Sequence, residues 1–286
     1  MSLRDIIRIT KAEITFLILV VAVTGFLAAP GASTRLIILL PLLVAGGLSS
    51  ISASLFNNIY DRDIDVIMAR TSYRSNIVNQ ENYRRFIAYS SIILIFASAV
   101  AYFLINLLTL LFILGGFVSY VLLYTMVLKR RTSLNIVIGG IAGSFPALAG
   151  WSAVTGTVSL TAIYIALLVF VWTPTHFWSL AMGTKKDYTS AGVPMLPSLV
   201  PENRAFGYIV ANSGIMVIYS LLPFFLPELA VGTAYFFVAI ILDAILIYFM
   251  VAIYVKNLAA SSFKQAFHFS NLYLLVLLVS IWWIIA

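Results

Sequence analysis

The chain contains no cysteine, which excludes disulfides, thiolate metal ligands and a cysteine nucleophile. Charge is almost as scarce. Asp, Glu, Lys and Arg make up 9% of the 286 residues, against about 25% in a soluble domain. Hydrophobic residues account for 62% and the mean hydropathy is +1.06, the composition of an integral membrane protein. Short alternating strands are missing too, because the apolar segments are long, and this excludes a β-barrel. The net charge is +7, but no basic stripe accompanies a soluble fold, so no nucleic-acid partner is expected. Arg4, Arg8 and Lys11 ahead of an apolar run have the outline of a secretory signal. The whole chain continues in that style, so the segment reads as an uncleaved first span.

A span needs about 20 apolar residues. Nine such runs lie between polar breaks, at roughly 14–30, 36–56, 86–105, 107–127, 134–153, 160–181, 207–226, 232–255 and 267–286. The expected fold is all-α, a polytopic membrane protein forming one domain over residues 1–286. With the N-terminus inside, sixteen of the seventeen Lys and Arg residues fall in inner segments, Arg35 being the exception. The positive-inside rule then gives an N-in, C-out topology. Long polar loops after spans two and six lie on the cytoplasmic side of the cell membrane, and the chemistry is expected there. Their four-helix separation hints at related halves, about 10–130 and 131–255, followed by a ninth helix. The run 134–153 carries Gly139, Gly140, Gly143, Pro146 and Gly150. Such residues permit close helix approach in a bundle or a broken helix.

Three of the ten acidic residues fall within five positions, at Asp61, Asp63 and Asp65. On a helix Asn57, Asp61 and Asp65 recur at i, i+4 and i+8 along one face, whereas Asp63 lies about 200° round from Asp61. Arg70 and Arg74 follow. A column of hard oxygens followed by arginines suits a divalent cation and a diphosphate; a solvated polar loop is the plainer alternative. The second polar loop holds Trp172, Pro174 and His176, then Lys186-Asp187-Tyr188 and Ala191-Gly192-Val193-Pro194. Pro174 removes a helix hydrogen bond beside His176. His176 reads as a buried ring bonded to a carbonyl, an iron ligand or a proton carrier. A solvated loop pair is the lesser alternative for Lys186 and Asp187. Lys129-Arg130-Arg131 is a topology anchor facing lipid headgroups or a diphosphate-binding cluster. Asp243, near the middle of span eight, needs a polar interior or a partner.

These residues resemble the intramembrane prenyltransferase superfamily, and most closely its protoheme IX farnesyltransferases, or heme O synthases. The matching segments are Asn57-Asn58-x-x-Asp61-Arg62-Asp63-Ile64-Asp65, Met68-x-Arg70-Thr71-x-x-Arg74, Leu128-Lys129-Arg130-Arg131-Thr132 with Asn135 to Gly140, and Pro146 with Gly150-Trp151. Lys186-Asp187-Tyr188-x-x-Ala191-Gly192-Val193-Pro194-Met195-Leu196-Pro197 is the most telling, since other branches carry a second aspartate-rich motif there. The resemblance covers about residues 10–285. Two positions depart from it. Asn58 stands where the superfamily usually has Asp, which leaves one less charge for a metal. Ser75 replaces the family's usual proline, and a looser loop is expected there.

The resemblance implies about nine helices around a central cavity, and farnesyl diphosphate (or another polyprenyl diphosphate) and protoheme IX as substrates, with Mg2+ as cofactor. It puts Asp61 and Asp65 on the metal with Asn57 and Asn58 in support. Arg70, Arg74, Lys129, Arg130 and Lys186 take the diphosphate charge, and Lys186, Asp187 and Tyr188 form the other wall. His176 becomes a candidate heme ligand, and Tyr188 and Trp172 candidates for facing an allylic cation. A heme A synthase or terminal-oxidase assembly factors would follow downstream. Two rivals stand beside it: a prenyltransferase of the same fold acting on a quinone ring or a glycerol-phosphate ether, and a cation-coupled transporter.

Overall fold

The computed structural model of the protein describes residues 3–229 and 231–282. The last four positions of the ninth predicted span, 283–286, lie outside the described residues, as does the C-terminal end of the expected topology. Among the described residues there are helices and no strands. Eight segments among the described residues are long and apolar enough to cross a membrane. The ninth, α2 (Ala12–Leu27), has 16 residues, about 24 Å at the α-helical rise.

The spans follow α2 in order: α3 (Leu39–Tyr60, preceded by a 3-10 turn, Ala32–Ile38), α6 (Tyr83–Leu104) and α7 (Leu107–Val118). Span four continues from α7 as a π-helical stretch, Ser119–Leu128. The glycine-rich run is broken into α8 (Asn135–Gly139), a 3-10 turn (Gly140–Gly143) and α9 (Phe145–Thr155). Then come α10 (Leu160–Gly183), α13 (Glu202–Ser220), α14 (Thr233–Val255) and α15 (Ala260–Ile281). Short helices carry the polar loops: α1 (Leu3–Ile9), α4 (Arg62–Ile67), α5 (Tyr73–Ile77), α11 (Lys185–Ser190) and α12 (Leu196–Leu199). Each span packs on the next, and α15 packs back on α2, closing a ring.

Lipid is as apolar as leucine, so association of these helices rests on close contact and polar links. The closest approach joins α2 to α9. A Cβ built on Gly150 would sit 1.9 Å from the Ala22 carbonyl oxygen, and one on Gly25 would sit 2.1 Å from that of Ala147. The sequence offered a close approach or a break in this run; both occur, the break at Gly140–Gly143 and the approach at Gly150. Elsewhere Ser52 and Ser90 exchange hydroxyl-to-carbonyl bonds of 2.8 and 2.7 Å between α3 and α6.

Asp243 finds partners on both sides. Ser220 of α13 and Tyr273 of α15 each donate to one of its oxygens at 2.7 Å. The buried acid thus pins three helices together. Both its oxygens are engaged, so it offers no ready stopping place for an ion in transit.

Candidate active site

The helical register runs through the end of α3 into α4. Asp61 N–H donates to the Asn57 carbonyl and Asp65 N–H to that of Asp61, both at 2.8 Å. Asn57, Asp61 and Asp65 therefore share one face as their spacing predicts, and all three are buried. Asp63 points away, with a side chain 63% exposed.

Cations close around the buried column from three directions. Lys129, directly after the π-helical stretch, pairs with Asp61 Oδ2. Arg74, on α5, lies 3.9 Å from Asp65 Oδ1. Lys11 sits at the junction of α1 and α2 with φ +50°, and its ammonium donates to Asn57 Oδ1 and, at 3.0 Å, to the Tyr120 hydroxyl. Loss of hydration, reinforced by the charge of Arg74, holds the Lys11 ammonium well below its usual pKa. Arg130 faces both ways. It grips Asp63 with two bonds of 2.7 Å, lies 3.8 Å from Asp61 Oδ1, and holds the Asp63 carboxyl below its usual range. Burial pushes the Asp65 carboxyl up, against the pull of Thr71 and Arg74.

The column's members do different work. The Asn57 amide donates to Asp61 Oδ2 at 2.8 Å and to Thr125 at 3.0 Å, while Lys11 occupies its carbonyl oxygen. Asn57 therefore orients Asp61 while its own oxygen is held by Lys11. Asn58 turns away and donates to the Ile9 carbonyl at 2.7 Å, tying α3 to α1. Asp61 Oδ1 and Asp65 Oδ2 are buried without a hydrogen-bond partner. Such atoms are costly unless a ligand satisfies them, and two carboxylate oxygens are the donor set that Mg2+ takes from protein when phosphate and water complete its shell. Among the described residues there is no cluster of three His, Asp or Glu side chains that could hold a metal ion.

The second polar loop meets the first. Tyr188 is buried against Ile64, Met68, Val193 and Met195, and burial raises its hydroxyl pKa, with Arg70 opposing. The Tyr188 to Val193 motif is a helix stop: Val193 N–H donates to Tyr188 O at 3.1 Å and Gly192 N–H to Thr189 O at 3.2 Å. Gly192 takes φ +64°, the left-handed position such a cap requires. A cavity of about 250 Å3 between the loops is lined by Asp63, Ile64, Ile67, Arg130 and Ala191 to Val193. Lys186 is exposed and Asp187 half-buried, and neither joins the ion pairs of the column. The segment around Ser75 is helical, with the Ser75 hydroxyl donating to Ser72 O at 2.7 Å. That replaces the expected loosening, since serine keeps the donor that proline lacks.

His176 sits between aromatic rings, 4.2 Å from Trp172 and 4.5 Å from Phe267. Its Nδ1 meets Ser270 Oγ at 2.8 Å, and Ser270 gives its own proton to the Phe267 carbonyl at 2.7 Å. With the hydroxyl proton on the Phe267 carbonyl, Ser270 accepts from Nδ1–H and Nε2 is the ring nitrogen that keeps a lone pair. Trp172 has one ring face against His176 and its N–H on Ser270 O at 2.7 Å. Pro174 stays within continuous α10, and Asn212 donates to Val171 O in the turn before it at 2.9 Å.

In the sequence Lys11 has only the marks of a topology charge, and Tyr120 and Thr125 have no motif of their own. The one available signal is that Thr125 lies four residues before Lys129, the first member of the basic cluster. Asp65→Asn is expected to lower turnover by about 10²-fold, whereas Asp63→Asn, which only loosens Arg130, should cost under about fivefold. Equal losses in a steady-state assay would mean that the shared face of Asn57, Asp61 and Asp65 is not what matters.

A ring of helices long and apolar enough for a membrane, with buried carboxylates and four cations gathered at one end, has the architecture of an integral membrane enzyme with a polar site at the rim of its bundle. The chain belongs to the UbiA prenyltransferase family, whose model matches residues 18–272. It is 52% identical over 277 residues to a protein named protoheme IX farnesyltransferase 2 from Picrophilus torridus, covering 97% of this chain and 96% of that one. Protoheme IX farnesyltransferase 1 of Cenarchaeum symbiosum is 42% identical over 84% of this chain and 82% of its own. Among solved structures, one from work on digeranylgeranylglyceryl phosphate synthase in membranes shares the fold, with TM-score 0.76 and 18% identity over 99% of this chain and 98% of that one. So does a UbiA homologue from Archaeoglobus fulgidus bound to GPP and Mg2+, with TM-score 0.71 and 19% identity over 97% and 99%.

Proposed function

We propose that this chain transfers a farnesyl group from farnesyl diphosphate to a vinyl side chain of protoheme IX and that water addition completes heme O. The strongest structural support is the Asp61–Asp65 pair, in which Asp61 Oδ1 and Asp65 Oδ2 are buried without a hydrogen bond among Lys11, Arg74, Lys129 and Arg130. The relatives named protoheme IX farnesyltransferase support heme as the acceptor.

Asp61 and Asp65 would hold Mg2+, with Asn57 fixing Asp61 and Asn58 anchoring α3. The ion supplies Lewis-acid neutralisation of the diphosphate oxygens. Lys11, Lys129, Arg130, Arg70 and Arg74 stabilise the charge that grows as the allylic carbon–oxygen bond breaks. Apolar walls exclude water until the vinyl carbon attacks. The stacked rings of Tyr120 and Tyr124, 5.9 Å apart, and the nearby Tyr188 present π-faces to the allylic cation. A carbon–carbon bond forms, and the resulting cation beside the porphyrin takes up water and releases a proton. Lys186 and Asp187 guard the rim, and the free Nε2 of His176 ligates heme iron. The sorting of basic residues supports a site facing the cytoplasm from the cell membrane, with a heme A synthase or oxidase assembly factors receiving the product.

Membranes containing the protein, incubated with heme B, farnesyl diphosphate and Mg2+, should yield heme O on chromatography. Diphosphate release without heme O would instead favour a quinone or ether-lipid acceptor; solute flux without reaction would favour transport. His176→Ala should shift the Soret band of bound heme and weaken heme binding by about tenfold or more. An unchanged heme titration and spectrum would remove the ligand role.

A further inference from the structure

A groove of about 730 Å3 lies between α3, α6 and the π-helical stretch, beside the Asp61–Asp65 column but lined by neither of those residues. Three helices each give it one stripe. Phe56, Ile59 and Tyr60 are at i, i+3 and i+4 on α3, and Tyr83 and Ile87 are at i and i+4 on α6. Phe117 at the end of α7 and Val121, Leu122 and Met126 of the π-helical stretch that continues it give the third stripe. Phe56 and Phe117 meet edge to face at 5.7 Å. Ile87, Leu122 and Met126 are exposed along the rim, so the groove opens to the bilayer.

Its mouth is basic. The Arg62 guanidinium lies 5.0 Å over the Tyr83 ring and donates to Ile59 O at 3.0 Å, with no carboxylate partner among the described residues. Arg84 lies 6.0 Å over the same ring. Asp63 is the mouth's acid, and Arg130 takes both its oxygens. The mouth therefore keeps excess positive charge but no free carboxylate oxygen for a metal. That suits a headgroup phosphodiester better than a metal-bound diphosphate.

We propose that this groove holds one anionic two-chain membrane lipid, its phosphate on Arg62 and its hydrocarbon along Phe56, Phe117 and Met126. Basic pockets between spans recognise such headgroups by charge, and a lipid enters sideways without leaving the bilayer. Arg130 belongs to both places, so the headgroup sits next to the site of the diphosphate.

Native mass spectrometry of the full chain, released from detergent with phosphatidylglycerol or phosphatidylcholine of identical chains, tests this. One phosphatidylglycerol per chain should be retained about tenfold more strongly than phosphatidylcholine. Arg62→Gln should remove that preference, and Leu122→Trp, which fills the groove, should lower retention of both lipids. Equal retention by the unaltered protein, or a preference that survives both variants, overturns the proposal. Displacement of the lipid by inorganic phosphate, or one for one by farnesyl diphosphate with Mg2+, overturns it by assigning the groove to those ligands. Bound lipid mass is the readout, so failure here is distinct from failure to make heme O.

Discussion

Asp61→Asn is expected to lower Mg2+-dependent heme O formation by about 10³-fold or more, in protein that still folds and inserts. The substitution preserves shape, and the carbonyl oxygen of the new side chain can still accept from the Asn57 amide. What disappears is charge at a position only 2% exposed. Lys129 loses its counter-ion, and the oxygen Oδ1, which has no hydrogen bond, loses the charge a divalent cation needs. Lys129, no longer neutralised, then repels any incoming cation. Single-turnover rates at saturating Mg2+ and both substrates measure the loss, with circular dichroism as the folding control. Near-normal turnover would end the metal assignment.

Gly150→Val is expected to prevent recovery of folded protein, at a cost of about 4 kcal/mol or more. The new Cβ would fall 1.9 Å from the Ala22 carbonyl oxygen and 2.7 Å from the Phe26 nitrogen. Both are backbone atoms, so no rotamer change relieves the clash; α2 and α9 must separate. That displacement reaches the active site, because α2 begins directly after Lys11. Gly214→Ala is the control, since nothing lies within 4 Å of a Cβ there. The monodisperse fraction after detergent extraction and gel filtration reports the difference; similar recoveries for both variants would contradict the close packing.

Much of this architecture is written in one-dimensional signals. Span positions follow from apolar run length, and the face shared by Asn57, Asp61 and Asp65 follows from helical period, because both are local properties. What required the structure is pairing across the ring. Lys11 and Asn57 are 46 positions apart, and nothing near Lys11 in sequence distinguishes it from the topology charges Arg4 and Arg8. The place of Asn57 in the column is legible, but what its oxygen touches is decided by Lys11, at the distant junction of α1 and α2. The Asn58 bond to Ile9 and the Asp243 bonds to Ser220 and Tyr273 are equally non-local. The Gly192 turn was legible in principle, since a left-handed cap has a composition cue. The π-helical stretch had none, because its apolar residues fit an α-helix as well.

The division of labour between the column and His176 is open to calorimetry with a non-reacting thiolo analogue of farnesyl diphosphate, titrated into the unaltered protein, Asp61→Asn and His176→Ala. Binding should require Mg2+, weaken by about 10²-fold in Asp61→Asn, and stay within about twofold in His176→Ala. Mg2+-independent binding, or an equal loss in both variants, would contradict a diphosphate site built on Asp61 and Asp65.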